Sequence, residues 1–360
     1  MKKRFFNFKT ILGVASVSLA LASCGGGNGT NAAAGDDKTV TGGGSSFDKP
    51  LFDAQFAEYY KANAVKINYQ SIGSGAGIAQ LTSKTIDFGA SDAPTNGKQD
   101  SALSAPVVHI PVTAGAVVLS YNLPEVKDTL KLTPEIISGL FLGTITKWDD
   151  AQIAAANPGV KLPATTVLIA HRSDGSGTTN IFTTYLSKVS PEWETKVGKG
   201  STVNWPVGTG GKGNEGVAGV VKQTPGTIGY VELAYAVKNN MQYAKVKNKA
   251  GNIITPSSQS AAAAANISLP ADSKVSLTNS EAADGYPITG FSWVLIYKEQ
   301  SYNNRSQAQA EQLVKLINWM IHDGQKFSAN LQYAPLSANA VSTGEAILKS
   351  VTYNGQPILK

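Results

Sequence analysis

Short runs of β-branched and aromatic residues alternate with helix-like spacing along most of this chain. Residues 65–69 (Val-Lys-Ile-Asn-Tyr) alternate apolar and polar side chains, as in a half-buried strand, and a helical pattern follows from about Gly77 to Ser83. Strands that alternate with helices in this way predict an α/β fold.

Two long apolar runs interrupt this alternation, Val107–Tyr121 and residues 288–297. Each could be a buried core strand, or the two could be paired crossings between two lobes. Residues 301–360 then begin with helical spacing and would return to the first lobe, whereas the polar, aperiodic residues 266–285 indicate a surface excursion of the second. The predicted core side chains of the first C-terminal helix are Ala308, Leu313, Leu316, Ile317 and Met320.

The N-terminus has the pattern of an export signal. Lys2, Lys3, Arg4 and Lys9 precede an apolar stretch over residues 11–22, which is shorter than the roughly 20 residues that a membrane-spanning helix needs. The stretch ends in Leu-Ala-Ser-Cys at residues 21–24, which resembles a bacterial lipobox. We therefore expect a signal peptide over residues 1–23, acylation of Cys24 and a flexible tether over residues 24–37.

The cysteine count excludes an internal disulfide, and the charge count argues against nucleic-acid binding. Cys24 is the only cysteine, so the chain forms no internal disulfide. Four positive charges and no acidic residue lie in the predicted signal, so the formal net charge of +6 falls to +2 for the remainder. A nearly neutral chain without a cluster of basic and aromatic residues is not expected to bind nucleic acid.

Three segments rich in glycine and hydroxyl side chains each stand directly before a helical pattern. They are residues 42–47 (Gly-Gly-Gly-Ser-Ser-Phe), 73–77 (Gly-Ser-Gly-Ala-Gly) and 174–178 (Asp-Gly-Ser-Gly-Thr). The start of a helix presents free backbone N–H groups and a partial positive charge, which together suit an anion. One such segment is commonly only a helix cap, but three in one chain indicate an anion site.

An arginine and two acids accompany these segments. Arg172 ends an apolar run just before the third segment, and its planar guanidinium matches two oxygens of a tetrahedral anion. Asp174 is placed to hold that arginine, although an exposed surface pair is an equal alternative. Asp92 precedes Ala-Pro, where an acid is often only a turn residue; facing an anion, it would require a ligand that carries a proton, such as phosphate.

Several longer strings closely resemble the substrate-binding lipoprotein family of bacterial ABC-type phosphate transporters. They are residues 87–94 (DFGASDAP), 141–150 (FLGTITKWDD), 172–178 (RSDGSGT), 210–216 (GGKGNEG) and 226–232 (GTIGYVE). The resemblance runs from about Thr41 to the end of the chain. It implies a two-lobed, type II periplasmic-binding-protein architecture with two crossing hinge segments and a ligand cleft between the lobes. The implied lobes are residues 38–116 with 290–360, and residues 117–289.

The same resemblance implies a function and a set of site residues. The chain would bind inorganic phosphate outside the cytoplasm and deliver it to the permease and ATPase subunits of the importer, as a monomer held to the membrane through acylated Cys24. It would need no cofactor or metal and would catalyse no reaction. Asp174 would support the phosphate ligands, which are Ser46, Phe47, Ser74, Asp92, Arg172, Ser176, Gly177 and Thr178.

Other functions fit the sequence less well. A receptor for another tetrahedral oxyanion, sulfate or molybdate, is the nearest alternative. A phosphate-ester hydrolase is a weaker one, because His109, His171 and His322 are widely separated and no nucleophile elbow is present. Residues 208–212 resemble a phosphate-binding P-loop, but Gly213 stands where that motif needs Ser or Thr, so we interpret the segment as a structural loop with Lys212 at the surface.

Overall fold

The computed structural model describes residues 38–359 of the chain. The predicted signal peptide, the tether and Cys24 lie outside the described residues. Within residues 38–359 strands and helices are interspersed along the chain, with two short 3-10 turns, Asp323–Phe327 and Ala329–Leu331, between the last two helices. The prediction of an α/β fold is confirmed.

The strands of the described part are β1 (Thr39–Gly44), β2 (Lys66–Ser71), β3 (Phe88–Ser91), β4 (Val107–Tyr121), β5 (Lys131–Leu132), β6 (Leu168–Arg172), β7 (Thr209–Gly211), β8 (Thr227–Glu232), β9 (Gln242–Tyr243), β10 (Lys245–Lys247), β11 (Ile253–Ile254), β12 (Thr289–Tyr297), β13 (Thr352–Tyr353) and β14 (Gln356–Pro357).

The helices of the same part are α1 (Lys49–Asn63), α2 (Ser74–Thr82), α3 (Gly97–Ala102), α4 (Pro134–Leu142), α5 (Ala151–Ala156), α6 (Gly177–Val189), α7 (Pro191–Lys196), α8 (Gly213–Gln223), α9 (Leu233–Lys238), α10 (Ser258–Ala265), α11 (Gln307–Ile321) and α12 (Ala338–Lys349).

One mixed sheet organises these elements in the strand order β2-β1-β3-β12-β4-β8-β6-β7. Strands β1, β2 and β3 are parallel to one another, and so are β6, β7 and β8. Helices follow β1, β2, β6 and β7 directly, which is the arrangement that parallel strands require. Between the two parallel groups, β12 and β4 pair antiparallel with their neighbours.

Strand β4 belongs to both parts of the sheet. Its residues 107–116 pair with β12, and its residues 117–121 pair with β8. The two apolar runs found in the sequence are therefore strands β4 and β12, which lie side by side and are buried along almost their whole length. A fully buried strand needs apolar side chains on both faces, which explains the absence of alternation in these runs.

Two apolar cores flank the sheet. The smaller core draws on residues 40–112 and 294–351 only, and it includes Phe52, Ile110 and Leu316. The larger core extends through both parts of the sheet and includes Phe47 and Trp148.

Two details of the sequence prediction were wrong. Helix α2 begins at Ser74 and not near Gly77, because the glycine-rich segment itself forms the first helical turn. Ala308 is exposed and Ala310 is buried in its place, since α11 begins at Gln307 and Ala310 shares a face with Leu313 and Ile317. Residues 266–285 form no helix or strand, in agreement with the prediction, although Ser273 and Leu277 within them are buried.

Candidate functional site

Four helices begin at one place, where the two parallel parts of the sheet face each other. Helix α1 follows the end of β1, and α2 follows the end of β2; from the other part, α6 follows β6 and α8 follows β7. The carboxyl ends of parallel strands meet at one edge of a sheet, so the loops that start these helices converge. Each helix start contributes backbone N–H groups that have no partner within their own helix to the same space.

Asp92 lies at the centre of this convergence, just after β3, and only 3% of it is exposed. Ser45 Oγ donates a hydrogen bond to its Oδ1, and Thr178 Oγ1 donates to its Oδ2 at 2.9 Å. Burial raises the pKa of Asp92, while the two hydroxyl hydrogen bonds and the charge of Arg172 act in the opposite direction. The carboxyl thus joins a segment before α1 to the first turn of α6.

Arg172 and Asp174 form an ion pair at the end of β6. Arg172 Nε donates to Asp174 Oδ1 at 2.8 Å, and Nη2 donates to Oδ2 at 2.6 Å. Burial alone would raise the pKa of Asp174, but the hydrogen bonds and charge of Arg172 outweigh it and the pKa is lowered. The remaining nitrogen, Nη1, points to Thr178 Oγ1 at 3.4 Å. Of the two alternatives for this pair, the structure has the one in which Asp174 holds the arginine, because the guanidinium is almost wholly buried.

Asn214 in the first turn of α8 joins the same group. Its backbone N–H and its side-chain Nδ2 donate to Ser46 Oγ at 2.9 and 3.0 Å, and Nδ2 also lies 3.1 Å from Thr178 Oγ1. Its Oδ1 accepts from the backbone N–H of Glu232 at 2.8 Å, which fixes the orientation of the amide. The adjacent Gly213 N–H donates to Asp174 Oδ1 at 3.1 Å.

The starts of α2 and α6 touch through small residues. Gly177 N–H donates to Ser74 Oγ at 3.1 Å, and Gly75 N–H donates to the carbonyl of Gly175 at 2.9 Å. A Cβ atom at Gly177 would lie 2.6 Å from the backbone nitrogen of Asp92. The close approach of the two segments therefore requires glycine at position 177.

Phe47 and Ser176 have structural contacts in addition to their place at the site. The backbone N–H of Phe47 donates to Ser45 Oγ at 3.0 Å, and its carbonyl accepts from Tyr333 at 2.6 Å. Ser176 Oγ accepts from the backbone N–H of Thr179 at 3.0 Å and so caps α6. Both residues are buried.

The structure therefore brings the predicted residues together around Asp92 and Arg172. Asn214 was missed. Its segment was interpreted as a structural loop, although it has the same glycine-and-polar signature before a helix as the three segments that were chosen; that signature could have identified it. Lys212 is exposed, as expected.

The three histidines have other surroundings. His109 Nε2 accepts from the backbone N–H of Thr95 at 3.1 Å, and His322 Nε2 lies 2.6 Å from a carboxylate oxygen of Glu345. His171 stacks on Trp205 with ring centroids 4.9 Å apart, on the side of β6 away from the Arg172 side chain. Within residues 38–359 no group of His, Cys, Asp and Glu side chains is arranged to hold a metal ion.

None of the helices described here is long and apolar enough to cross a membrane.

The family of this chain follows from its similarity to known proteins. The model of the PBP superfamily domain matches residues 29–323. The phosphate-binding protein PstS of Xylella fastidiosa is 45% identical over 311 residues, which cover 85% of this chain and 84% of that protein. This chain belongs to the PstS family of phosphate-binding proteins. PstS of Haemophilus influenzae is 41% identical over 309 residues, covering 85% of this chain and 91% of the relative.

Solved structures show the same fold. A phosphate-binding protein from Stenotrophomonas maltophilia superposes with a TM-score of 0.63 at 17% identity, covering 86% of this chain and 92% of the other. An ABC-type phosphate transport receptor from Vibrio cholerae gives a TM-score of 0.53 at 16% identity, covering 82% and 99%. The expected periplasmic-binding-protein fold is confirmed.

Membership of the PstS family settles two further points. PstS proteins are binding proteins of a transport system, so this chain is not an enzyme and the hydrolase alternative is dismissed. The family also places the chain outside the cytoplasm.

Proposed function

We propose that this chain binds inorganic phosphate at the Asp92–Arg172 site and delivers it to an ABC-type importer. The observation that carries the proposal is a buried carboxyl, Asp92, set among hydroxyl, amide and guanidinium groups that can donate hydrogen bonds to an anion. A site made of donors alone would suit any oxyanion. A site that also contains a buried acceptor suits an anion that keeps a proton.

The donors come from the starts of α1, α2 and α6. Backbone N–H groups of Phe47, Gly177 and Thr178 and the hydroxyls of Ser46 and Ser74 lie on the two sides of the site, and Ser176 stands at the α6 cap. Arg172 adds the positive charge, and its two hydrogen bonds to Asp174 fix its rotamer. Donors fixed in place before the ligand arrives favour binding, because little ordering cost remains.

Asp92 supplies the selectivity in this proposal. A carboxylate offers about four acceptor positions, and the hydroxyls of Ser45 and Thr178 occupy two of them. Phosphate at neutral pH keeps at least one proton and can donate it to a remaining position. Sulfate has none to donate, so its oxygen would face the carboxylate with like charge in a site sheltered from water.

Delivery requires a movement between two lobes. The predicted lobes are residues 38–116 with 290–360, and residues 117–289, and the switch of β4 from β12 to β8 between residues 116 and 117 supports this boundary. Ligand contacts from both lobes would close the cleft about β4 and β12 as a hinge. The closed, monomeric chain would then dock on the permease, whose ATPase supplies the energy.

The proposal includes a lipid anchor at Cys24. A single acyl chain binds membranes only weakly, so stable retention would require more than one chain on this residue. Replacing Cys24 by Ser removes the thiol that the lipid needs. Processed protein that still partitions into detergent after this change would exclude the anchor.

Calorimetry with phosphate, arsenate and sulfate tests the function directly. We expect wild-type protein to bind phosphate and to exclude sulfate, whereas Asp92→Asn should gain measurable sulfate binding because an amide N–H can donate to a fully ionised oxyanion. Asp128→Asn, at an exposed acid remote from the site, is the matched control. Preference of the wild type for sulfate or molybdate would favour the alternative receptor, and equal exclusion of sulfate by Asp92→Asn would refute the role of Asp92.

A further inference from the structure

A second buried acid lies directly behind the site. Asp48 occupies the position before α1 and is wholly buried, yet its side chain makes no capping hydrogen bond to that helix. Its Oδ1 has no hydrogen-bond partner among the described residues. Since Asp at this position ordinarily caps the helix, helix capping does not account for the residue.

One hydroxyl connects Asp48 to Asp92. Ser292 Oγ on β12 lies 2.6 Å from Asp48 Oδ2 and 3.4 Å from Asp92 Oδ1. A serine hydroxyl has a single hydrogen and can donate it to only one of the two carboxyls. Both contacts can be hydrogen bonds at once only when the other carboxyl donates to Ser292, and for that it must hold a proton.

The remaining hydrogen bonds decide which carboxyl holds the proton. Ser45 Oγ accepts from Phe47 N–H, and Thr178 Oγ1 accepts from Arg172 Nη1 and Asn214 Nδ2, so both hydroxyls are free to direct their hydrogens at Asp92. Asp92 is thus arranged to carry the negative charge. Asp48 has one oxygen without a hydrogen-bond partner, and the nearby hydroxyl of Ser45 directs its hydrogen at Asp92, so Asp48 is arranged to stay neutral.

The charged and titratable groups around Asp48 also favour its neutral form. The titratable groups that face it are Asp92, Tyr69 on β2, Glu232 on β8, Tyr235 on α9 and Tyr333 before α12. Burial raises the pKa of each, and burial together with the charge of Asp92 raises that of Asp48 well above its usual range. The nearby buried cation, Arg172, is already paired with Asp174 and acts on Asp92. Two adjacent ionised carboxylates would therefore be uncompensated in an anion site.

We propose that Asp48 is a specificity-determining residue that keeps its proton at neutral pH and donates through Ser292 to Asp92, which holds Asp92 in its ionised, proton-accepting form. The inference rests on the proposed phosphate function. When the proton of Asp48 is lost at alkaline pH, a second negative charge arises behind Asp92 and repels the bound anion. Phosphate affinity then falls as pH rises, for a reason that lies in the protein and not in the ligand.

The test is phosphate calorimetry over the alkaline range in which inorganic phosphate remains the singly protonated dianion. Wild-type affinity should fall at least threefold across this range, and by at most about tenfold per pH unit if one proton is involved. In Asp48→Asn the amide still donates to Ser292 but cannot ionise, so its affinity should change less than twofold over the same range. Asp128→Asn should follow the wild type.

The possible failures are distinguishable. Wild-type protein that binds phosphate at no pH refutes the proposed function, whereas equal pH profiles for wild type and Asp48→Asn refute only the role of Asp48. Infrared spectroscopy of the wild type provides a measurement that does not depend on a variant that folds. It should show protonated carboxyl absorption at neutral pH, a component of which declines in parallel with affinity, and the absence of such a declining component would overturn the inference.

Discussion

Arg172 donates two hydrogen bonds to Asp174, from Nε to Oδ1 at 2.8 Å and from Nη2 to Oδ2 at 2.6 Å. The third guanidinium nitrogen, Nη1, is directed into the site. This geometry exists only for a planar fork of donors. A lysine ammonium in the same place could neutralise Asp174 or face the ligand, but two hydrogen bonds in a fixed plane could not hold it in one orientation.

Arg172→Lys should therefore weaken phosphate binding by about 1.5 to 3 kcal/mol, the range for hydrogen bonds to charged groups. Titration calorimetry measures the loss. Arg305→Lys is a matched control, because Arg305 is also buried and paired with an acid, Asp87, away from the site. It should lower the melting temperature and leave phosphate affinity intact. Wild-type affinity in Arg172→Lys would show that the arginine only pairs with Asp174.

The close contact between Gly177 and the backbone of Asp92 leads to a prediction about closure of the cleft. Gly177→Val should abolish closure on phosphate although every donor side chain remains, because its Cβ would collide with the backbone of Asp92. Small-angle scattering with and without phosphate measures the compaction. Gly219→Val is the control, since a Cβ at Gly219 in α8 meets no atom within 4 Å. Normal compaction of Gly177→Val would contradict the close approach of α6 to Asp92.

Asn214 should contribute through its amide donors. Asn214→Ala should reduce phosphate affinity by about 0.5 to 1.5 kcal/mol, because Ser46 and Thr178 lose a shared donor that orients them. Asn214→Asp should cost more, since it replaces the donor by a negative charge that faces the anion. If the two variants bind equally well, Asn214 has no electrostatic role.

Glu299 should make the C-terminal hairpin sensitive to acid. Although burial would raise the pKa of Glu299, hydrogen bonds from Ser301, Thr352 and Gly355 lower it to about 2. A carboxyl with a lowered folded-state pKa stabilises above its unfolded value of 4.5, and this stabilisation is lost as pH falls toward 2. The protection of backbone amides in residues 352–357 against hydrogen exchange, measured relative to the intrinsic exchange rate at each pH, should therefore decrease between pH 5 and about pH 3. Glu299→Gln should show low protection at both pH values, and protection that does not change with pH in the wild type would exclude this role.

The sequence contained enough information for the fold class and for most of the site. Strands β4 and β12 were visible because a strand buried on both faces must be apolar throughout, and the α1, α2 and α6 starts were visible because glycine and hydroxyl residues there have a local signature. Asn214 has that signature too, but residues 208–212 directly before it resemble a P-loop that lacks its Ser or Thr, and this resemblance obscures the signature.

The connection from Asp48 to Asp92 could not be predicted from the sequence. Asp48 and Ser292 are distant in the chain, and only the position of β12 between β3 and β4 brings the serine hydroxyl between the two acids. A single sequence gives no signal for such a contact, since Asp before a helix is ordinary and serine in a strand is ordinary. The start of α2 was misplaced for a related reason: glycine is a poor helix former, and tertiary contacts with Gly175 override that propensity.

The central position of β12 also constrains how the chain folds. Ser91 in β3 pairs with Trp293 in β12, so the middle of the sheet joins residues about 200 positions apart, and such long-range pairing makes folding slow. Until β12 has emerged, β3 and β4 each lack their shared neighbour and leave an open strand edge that can pair with other chains. A chain that crosses a membrane with its N-terminus first can therefore complete this sheet only after Tyr297 has been exported. A chain truncated before residue 289 should expose the unpaired edges of β3 and β4 and aggregate.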